Sequence, residues 1–223
     1  MAKKALKQNS KYETGPYDSL RDYMEAIETH GNVIRIKEID QDAYELTGFM
    51  YKLLDKHGWL GAPSVIVEKI KISGEWVDGP IIVNQYGMAG HEAMAIGVPL
   101  DEIEEGAHVH NYKKALNKMM QMGEITPIKT TEIDKADAPS KAVILKEEDI
   151  NILDFPFFQT NPGDNGRFIN TGNLVTVDPD QGRNVGTYRM QIKGPRKIGI
   201  SPEKKQDGWK SLMKTKENGE TVA

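Results

Sequence analysis

The 223-residue sequence contains no cysteine, which excludes disulfides, zinc–thiolate sites and a cysteine nucleophile, and leaves only nitrogen and oxygen ligands for any metal. It also lacks an excess of positive charge. With 29 Lys and Arg against 33 Asp and Glu, the formal net charge is -4, so no overall basic field exists to hold a nucleic acid. No apolar run approaches the roughly 18 to 20 residues of a membrane span, and "MAKKALKQNSKYETG" at the N-terminus has lysines without the apolar core of a signal peptide. These absences predict a cytoplasmic protein without nucleic-acid partners or a membrane span.

What is present divides into two textures. Residues 1–16 are polar and end in Gly15 and Pro16, as a flexible arm does. "DSLRDYMEAIETHG" then sets Leu20, Tyr23, Met24 and Ile27 on one helical face, with Asp18 or Ser19 as N-cap and Gly31 as stop. "NVIRIKEI" reads as a short strand, and "QDAYELTGFMYKLLDKHG" as a second amphipathic helix through Leu46, Phe49, Met50, Leu53 and Leu54. "SVIVEKI" and "PIIVNQY" read as strands around a turn at Ser73 and Gly74, and "HEAMAIGVP" and "NYKKALNKMMQMG" as helices. Apolar periodicity is lost over 123–140, which marks a linker after an α/β domain at 17–122. From residue 141 strands and turns are expected: "KAVILKEEDINILDFPFF", "RFINTGNLVTV", the turn "DPDQG", "NVGTYRMQIKG" and "RKIGI", in an antiparallel sheet or barrel segment. A final helix, "DGWKSLMKTKENG", precedes "ETVA", which resembles the entry to another strand.

Candidate chemistry is sparse. His108 and His110 stand two apart in "EEGAHVHNY", read as a polar loop, and a solvated or capping role is favoured because no third metal ligand lies nearby. His30 and His57 each end a helix before a glycine, where a cation complements the helix dipole. "PGDNGRF" is rich in turn formers and reads as a loop. In "GRNVGTYRMQIKG", one regular strand puts Val185, Thr187, Arg189 and Gln191 on one face and Asn184, Gly186, Tyr188, Met190 and Ile192 on the other. Asn184 then points away from Arg189, although the flanking Gly182 and Gly186 leave open a loop-to-strand junction that turns it towards a common pocket. Arg189, Lys193, Arg196 and Lys197 form a basic cluster suited to a bound anion or a solvated edge.

"FPFFQTNPGDNGRFIN" followed by "RNVGTYRMQIKGPRKIGI" resembles the UbiD family of prenylated-flavin-dependent decarboxylases, many of which carry an N-V/L-G-x-Y-R stretch; "SLRDYMEAIETHGNVIRI" shares the family's opening texture. The fold this implies is α+β: an N-terminal α/β domain, then, over 141–223, the first part of a flavin-reductase-like split β-barrel that holds prenylated FMN. By the same resemblance Asn184 binds a divalent metal, manganese or magnesium, beside the cofactor phosphate, with potassium as a further ion, and Arg189 is the catalytic arginine. An amide oxygen is a neutral hard ligand, and a forked guanidinium holds a substrate carboxylate by two hydrogen bonds. Asn170, Thr171, Asn184, Thr187, Tyr188, Arg189 and Gln206 fall at positions lining the prenylated flavin, which a prenyltransferase supplies. The basic cluster is then expected to serve an anionic cofactor and substrate.

The pattern departs at "KKQDGWK", where many relatives carry Gln-His and the His is a metal ligand. Here Gln206 is followed by Asp207, which either ligates through oxygen or caps a helix starting at Gly208. The family also continues for about as many residues again, supplying a glutamate metal ligand, the proton-donating glutamates and an oligomerising domain. The expectation is an incomplete site, inactive alone and completed in a homo- or hetero-oligomer. Three readings follow: the cofactor-binding portion of an enzyme that decarboxylates or carboxylates an aromatic or α,β-unsaturated acid, a non-catalytic binding or assembly subunit, and a plain flavin-binding domain.

Overall fold

The Ser19 side chain accepts a hydrogen bond from the Asp22 amide, as an N-cap does, and helix α1 runs Leu20–Thr29 with Tyr23, Met24, Ala26 and Ile27 buried. Leu20, expected on that face, is instead exposed. The computed structural model describes residues 14–123, 131–178 and 182–219, and the chain divides into two compact units, Met1–Ala142 and Val143–Ala223. Most of the expected N-terminal arm lies outside the described residues. Its end is pinned, because the Gly15 amide donates to the Met94 carbonyl at 2.8 Å.

In the first unit, strand β1 (Val33–Asp40), helix α2 (Glu45–His57) and strand β2 (Ser64–Ile72) make a βαβ unit with β1 and β2 parallel. Strand β3 (Glu75–Val83) returns antiparallel, giving the order β1-β2-β3. The connecting Ser73 and Gly74 both have positive φ, 56° and 86°, and the Asp42 carboxylate accepts both their amides at 2.7 Å. Asp42 is held in a turn, so α2 begins later than its amphipathic pattern suggests. Helices α3 (Ala89–Ala95) and α4 (His108–Gly123) close the core, in which Tyr23, Met24 and Ile27 of α1 meet Ile66, Met94, Leu100, Ile103 and Ala115. His108 and His110, read as loop residues, open α4 instead. Two positions apart on a helix they diverge by about 200°, which does not make a metal pair.

The second unit begins differently from its sequence reading. Over 143–158 the expected strands are replaced by 3-10 turns at Glu147–Asp149 and Ile152–Asp154. The reason is local competition for backbone groups. Asn151 accepts the Leu153 amide, and the Arg167 guanidinium takes the carbonyls of Leu153, Phe155 and Phe157 at 3.1, 2.9 and 2.6 Å, groups a strand would offer to a neighbour. Strands β4 (Phe168–Asp178), β5 (Gly182–Gly194) and β6 (Lys197–Ile200) form the antiparallel sheet, and helix α5 (Asp207–Glu217) packs on β4 and β5. Part of the "DPDQG" turn, the middle of the linker and the "ETVA" segment lie outside the described residues. No helix among the described residues is long and apolar enough to cross a membrane.

His30 caps the end of α1, but burial lowers its pKa, so it sits there as a neutral ring and not as the cation expected to face the helix dipole. Its neighbour His91 on α3 is 2% exposed, neither ring has a hydrogen-bond partner among the described residues, and burial first, then His30, pushes His91 from 6.5 to about 4. A base with a depressed folded-state pKa binds more protons unfolded than folded between those two values. Stability is therefore full above pH 6.5 and falls as pH drops towards 4, by up to about 3 kcal/mol for this group. Urea unfolding at pH 7 and pH 4.5 should show that fall, and His91→Leu should flatten it. An equal slope in the variant would remove His91 as the cause.

Candidate functional site

Strand β5 is regular from its first residue. Gly182 to Tyr188 pair in unbroken register with Asp178 to Gly172 of β4. Burial alternates accordingly, with Asn184, Gly186, Tyr188, Met190 and Ile192 covered and Arg183, Val185, Thr187 and Arg189 exposed. The junction that Gly182 and Gly186 left open does not form, because ladder hydrogen bonds hold this end of the strand straight. Asn184 and Arg189 thus serve opposite faces.

At the Asn184 end of β5, an open depression of 310 Å³ is lined by residues 184–188 and by Lys205, Gln206 and Asp207, joining two segments distant in sequence. Tyr188 brings them together. A Cβ on Gly186 would lie 2.5 Å from its ring and one on Gly208 2.5 Å from its hydroxyl, so both glycines exist to admit it. Lys205 adopts a left-handed backbone (φ 84°), and Gln206 becomes the N-cap of α5 without a side-chain cap bond, its own amide oxygen accepting from the Glu203 amide at 2.8 Å. Asp207 is the first helical residue and not the N-cap; its carboxylate meets Lys210 at 2.8 Å. The uncapped first turn of α5 therefore keeps amide donors for an anion.

The donor set suits a hard divalent cation in part. Asn184 has no side-chain hydrogen-bond partner among the described residues, and the Asp207–Lys210 pair is exposed, so both oxygens can be recruited at little cost. Among the described residues no three His, Asp or Glu side chains gather as a metal group. Lys193, Arg196 and Lys197 lie at the β5–β6 turn, the far end of β5 from Asn184, and none lines the depression.

The other face carries a second cluster. Between Ile169 and Gly172 the β4–β5 register shifts, so Asn170 and Thr171 together oppose Arg189 in a β-bulge. Arg189 Nε donates to Asn170 Oδ1 at 2.9 Å, and its two terminal nitrogens donate to Asp164 Oδ1 and Oδ2 at 3.2 and 3.1 Å. Its Cζ lies over the Phe168 ring, 4.2 Å from the centroid. The guanidinium beside Asp164 holds that carboxyl below the usual carboxylate range. Asp164 and Phe168 were read only as loop and strand residues. Their partner is remote in sequence, so no local spacing signals the pairing. Thr187 donates to Asn173 across the strands at 3.1 Å, and Thr171 makes no side-chain hydrogen bond among the described residues.

The second unit thus combines a three-stranded antiparallel sheet and one flanking helix with an open depression and a clustered arginine. Residues 131–223 match the family described as 3-octaprenyl-4-hydroxybenzoate carboxy-lyase Rift-related domain. The chain is 26% identical over 215 residues to phenolic acid decarboxylase of Escherichia coli O157:H7, covering 92% of this chain and 42% of that protein. The phenolic acid decarboxylase of Sedimentibacter hydroxybenzoicus is 26% identical over 82% of this chain and 36% of its own length. Among solved structures, vanillic acid decarboxylase of Sedimentibacter hydroxybenzoicus in its open form matches with TM-score 0.73 at 25% identity, over 92% of this chain and 41% of that one. An evolved dimeric form of the UbiD-class enzyme HmfF from Pelotomaculum thermopropionicum, in complex with prFMN, matches with TM-score 0.69 at 25% identity, over 92% and 43%. The chain thus resembles the UbiD family, with the family-model match confined to residues 131–223, and it spans about two fifths of the length of the curated relatives it matches.

Gly208→Ala should disturb the Tyr188 contact that joins α5 to β5 and lower the stability of the second unit by about 1–3 kcal/mol. Gly194→Ala, where an added Cβ meets nothing within 4 Å, should change it little. Thermal unfolding of the two variants checks this; equal behaviour would mean that Tyr188 moves freely aside.

Proposed function

We propose that this chain is the cofactor-binding portion of a prenylated-FMN-dependent carboxy-lyase that reversibly decarboxylates an aromatic or α,β-unsaturated acid, acting in the cytoplasm within an oligomer. The observation that carries the reading is the joining of Asn184, Thr187 and Tyr188 with Lys205, Gln206 and Asp207 around one depression at the uncapped end of α5. Lys205 and the amides of that first helical turn hold the cofactor phosphate. Asn184 and Asp207 contribute oxygens to manganese or magnesium, whose charge offsets that phosphate. Potassium is a further ion of the same reading. Tyr188 fixes the wall between strand and helix. The prenylated flavin, when bound, supplies the reactive ring system on which the bond to carbon dioxide is broken or made.

Arg189 holds the substrate carboxylate on the opposite face. Its charge is permanent and its planar fork matches two carboxylate oxygens, so it orients the group and stabilises the charge that develops at it. Asn170, on the guanidinium's Nε, fixes that orientation. The similarity to enzymes named for phenolic and vanillic acids supports an aromatic acid as substrate.

Arg189→Lys keeps the charge but loses the fork. In the assembled enzyme containing this chain, turnover should fall at least about tenfold, a loss of about 1.4 kcal/mol of transition-state stabilisation. Arg189→Ala should abolish it. Because Arg189 is 48% exposed on its side chain, its ion pair adds only about 0–1 kcal/mol to folding, and melting should shift little. Undiminished turnover in the lysine variant would remove Arg189 from this role.

A further inference from the structure

Resting on the reading of Arg189 as the carboxylate clamp, we propose that Asp164 is a built-in competitor, a carboxylate of the chain itself that occupies the guanidinium until a substrate carboxylate displaces it. A guanidinium offers a carboxylate two planar two-pronged edges, one ending in both terminal nitrogens and one combining Nε with a terminal nitrogen. Here Asp164 takes both terminal nitrogens, at 3.2 and 3.1 Å, and Asn170 takes Nε, at 2.9 Å. Neither edge is open, and the guanidinium face is against Phe168. The end carrying both terminal nitrogens can grip a second carboxylate by two hydrogen bonds only after Asp164 leaves.

The surroundings allow that exchange. Gly163 and Gly166 flank Asp164 closely, the latter at φ 94° and both with open space beside them. The loop does not depend on the ion pair for its shape, because Gln159 Nε2 donates to the carbonyls of Asn161, Pro162 and Asp164 at 3.0, 3.3 and 2.9 Å. Asp164 Oδ2 also accepts the Asn161 amide at 3.1 Å, a bond that an asparagine oxygen can keep. The exchange is between like groups: the guanidinium passes from one carboxylate to another, so its charge is never left without a partner. A tethered competitor lowers apparent affinity by the fraction of time the clamp is free.

The test uses the 223-residue chain and benzoate as the carboxylate probe, with binding followed by broadening of the benzoate NMR lines and folding checked by circular dichroism. Asp164→Asn should bind benzoate at least about tenfold more tightly than wild type, and Asp164→Ser should do the same through a shorter side chain. Adding Arg189→Ala to Asp164→Asn should cancel the gain. If Arg189→Ala abolishes binding but neither Asp164 variant is tighter than wild type, the competitor role is overturned while the clamp stands. If the gain survives Arg189→Ala, the clamp reading itself falls, and the competitor role with it.

Discussion

Between Ile169 and Gly172 strand β4 carries one more residue than β5, and the candidate chemistry of the second unit is arranged around that extra residue. The bulge sets Asn170 beside Arg189, where its side-chain oxygen can reach Nε. It also advances the register so that Gly172 stands opposite Tyr188, and the missing Cβ of Gly172 makes room for the Met190 side chain, which would otherwise approach it at 2.8 Å. Met190 is buried as a result. One irregularity thus fills the sheet's covered face and orients a cation on its open one, as bulges near functional sites commonly do.

Elements whose signal is local were legible in the sequence. The apolar spacing of α1, the narrowing of its cap to Asp18 or Ser19, the Ser73–Gly74 turn and the alternation of β5 are each written within a few residues. The failures share a cause. Over 143–158 the apolar residues suggest strands, but the carbonyls they would pair are taken by Arg167, more than ten positions away. The bulge leaves no mark in the residue types of β4, although Asn170 and Thr171 are both exposed there, and Asp164 looks like a turn former because its partner lies across the sheet. His30 looked like a helix-end cation until its burial was known. Asn184, Tyr188, Gln206 and Asp207 are candidates through family resemblance alone, and geometry adds that they share one depression that Arg189 does not line.

On the proposed reading, strand β5 therefore presents two ways of handling an anion, one on each side. The end of α5 does so with backbone amides and a helix dipole, which are fixed by the fold and cannot turn away. That arrangement suits a group that stays bound, such as a cofactor phosphate. Arg189 does so with a side chain that is half-exposed and partnered by one neighbour on the adjacent strand, Asn170, and one on a glycine-flanked loop, Asp164. That arrangement suits a group that must come and go. An unpartnered guanidinium would be free to sample many rotamers, and ordering it would cost a binding ligand part of its affinity. With Asn170 and Phe168 holding its orientation and Asp164 holding its charge, the cation is already in place when a carboxylate arrives. Part of the affinity is given up to Asp164, and a pre-oriented fork is gained in return. For the reversible reaction proposed above the balance is favourable, since a clamp that bound carboxylates without competition would also release them slowly.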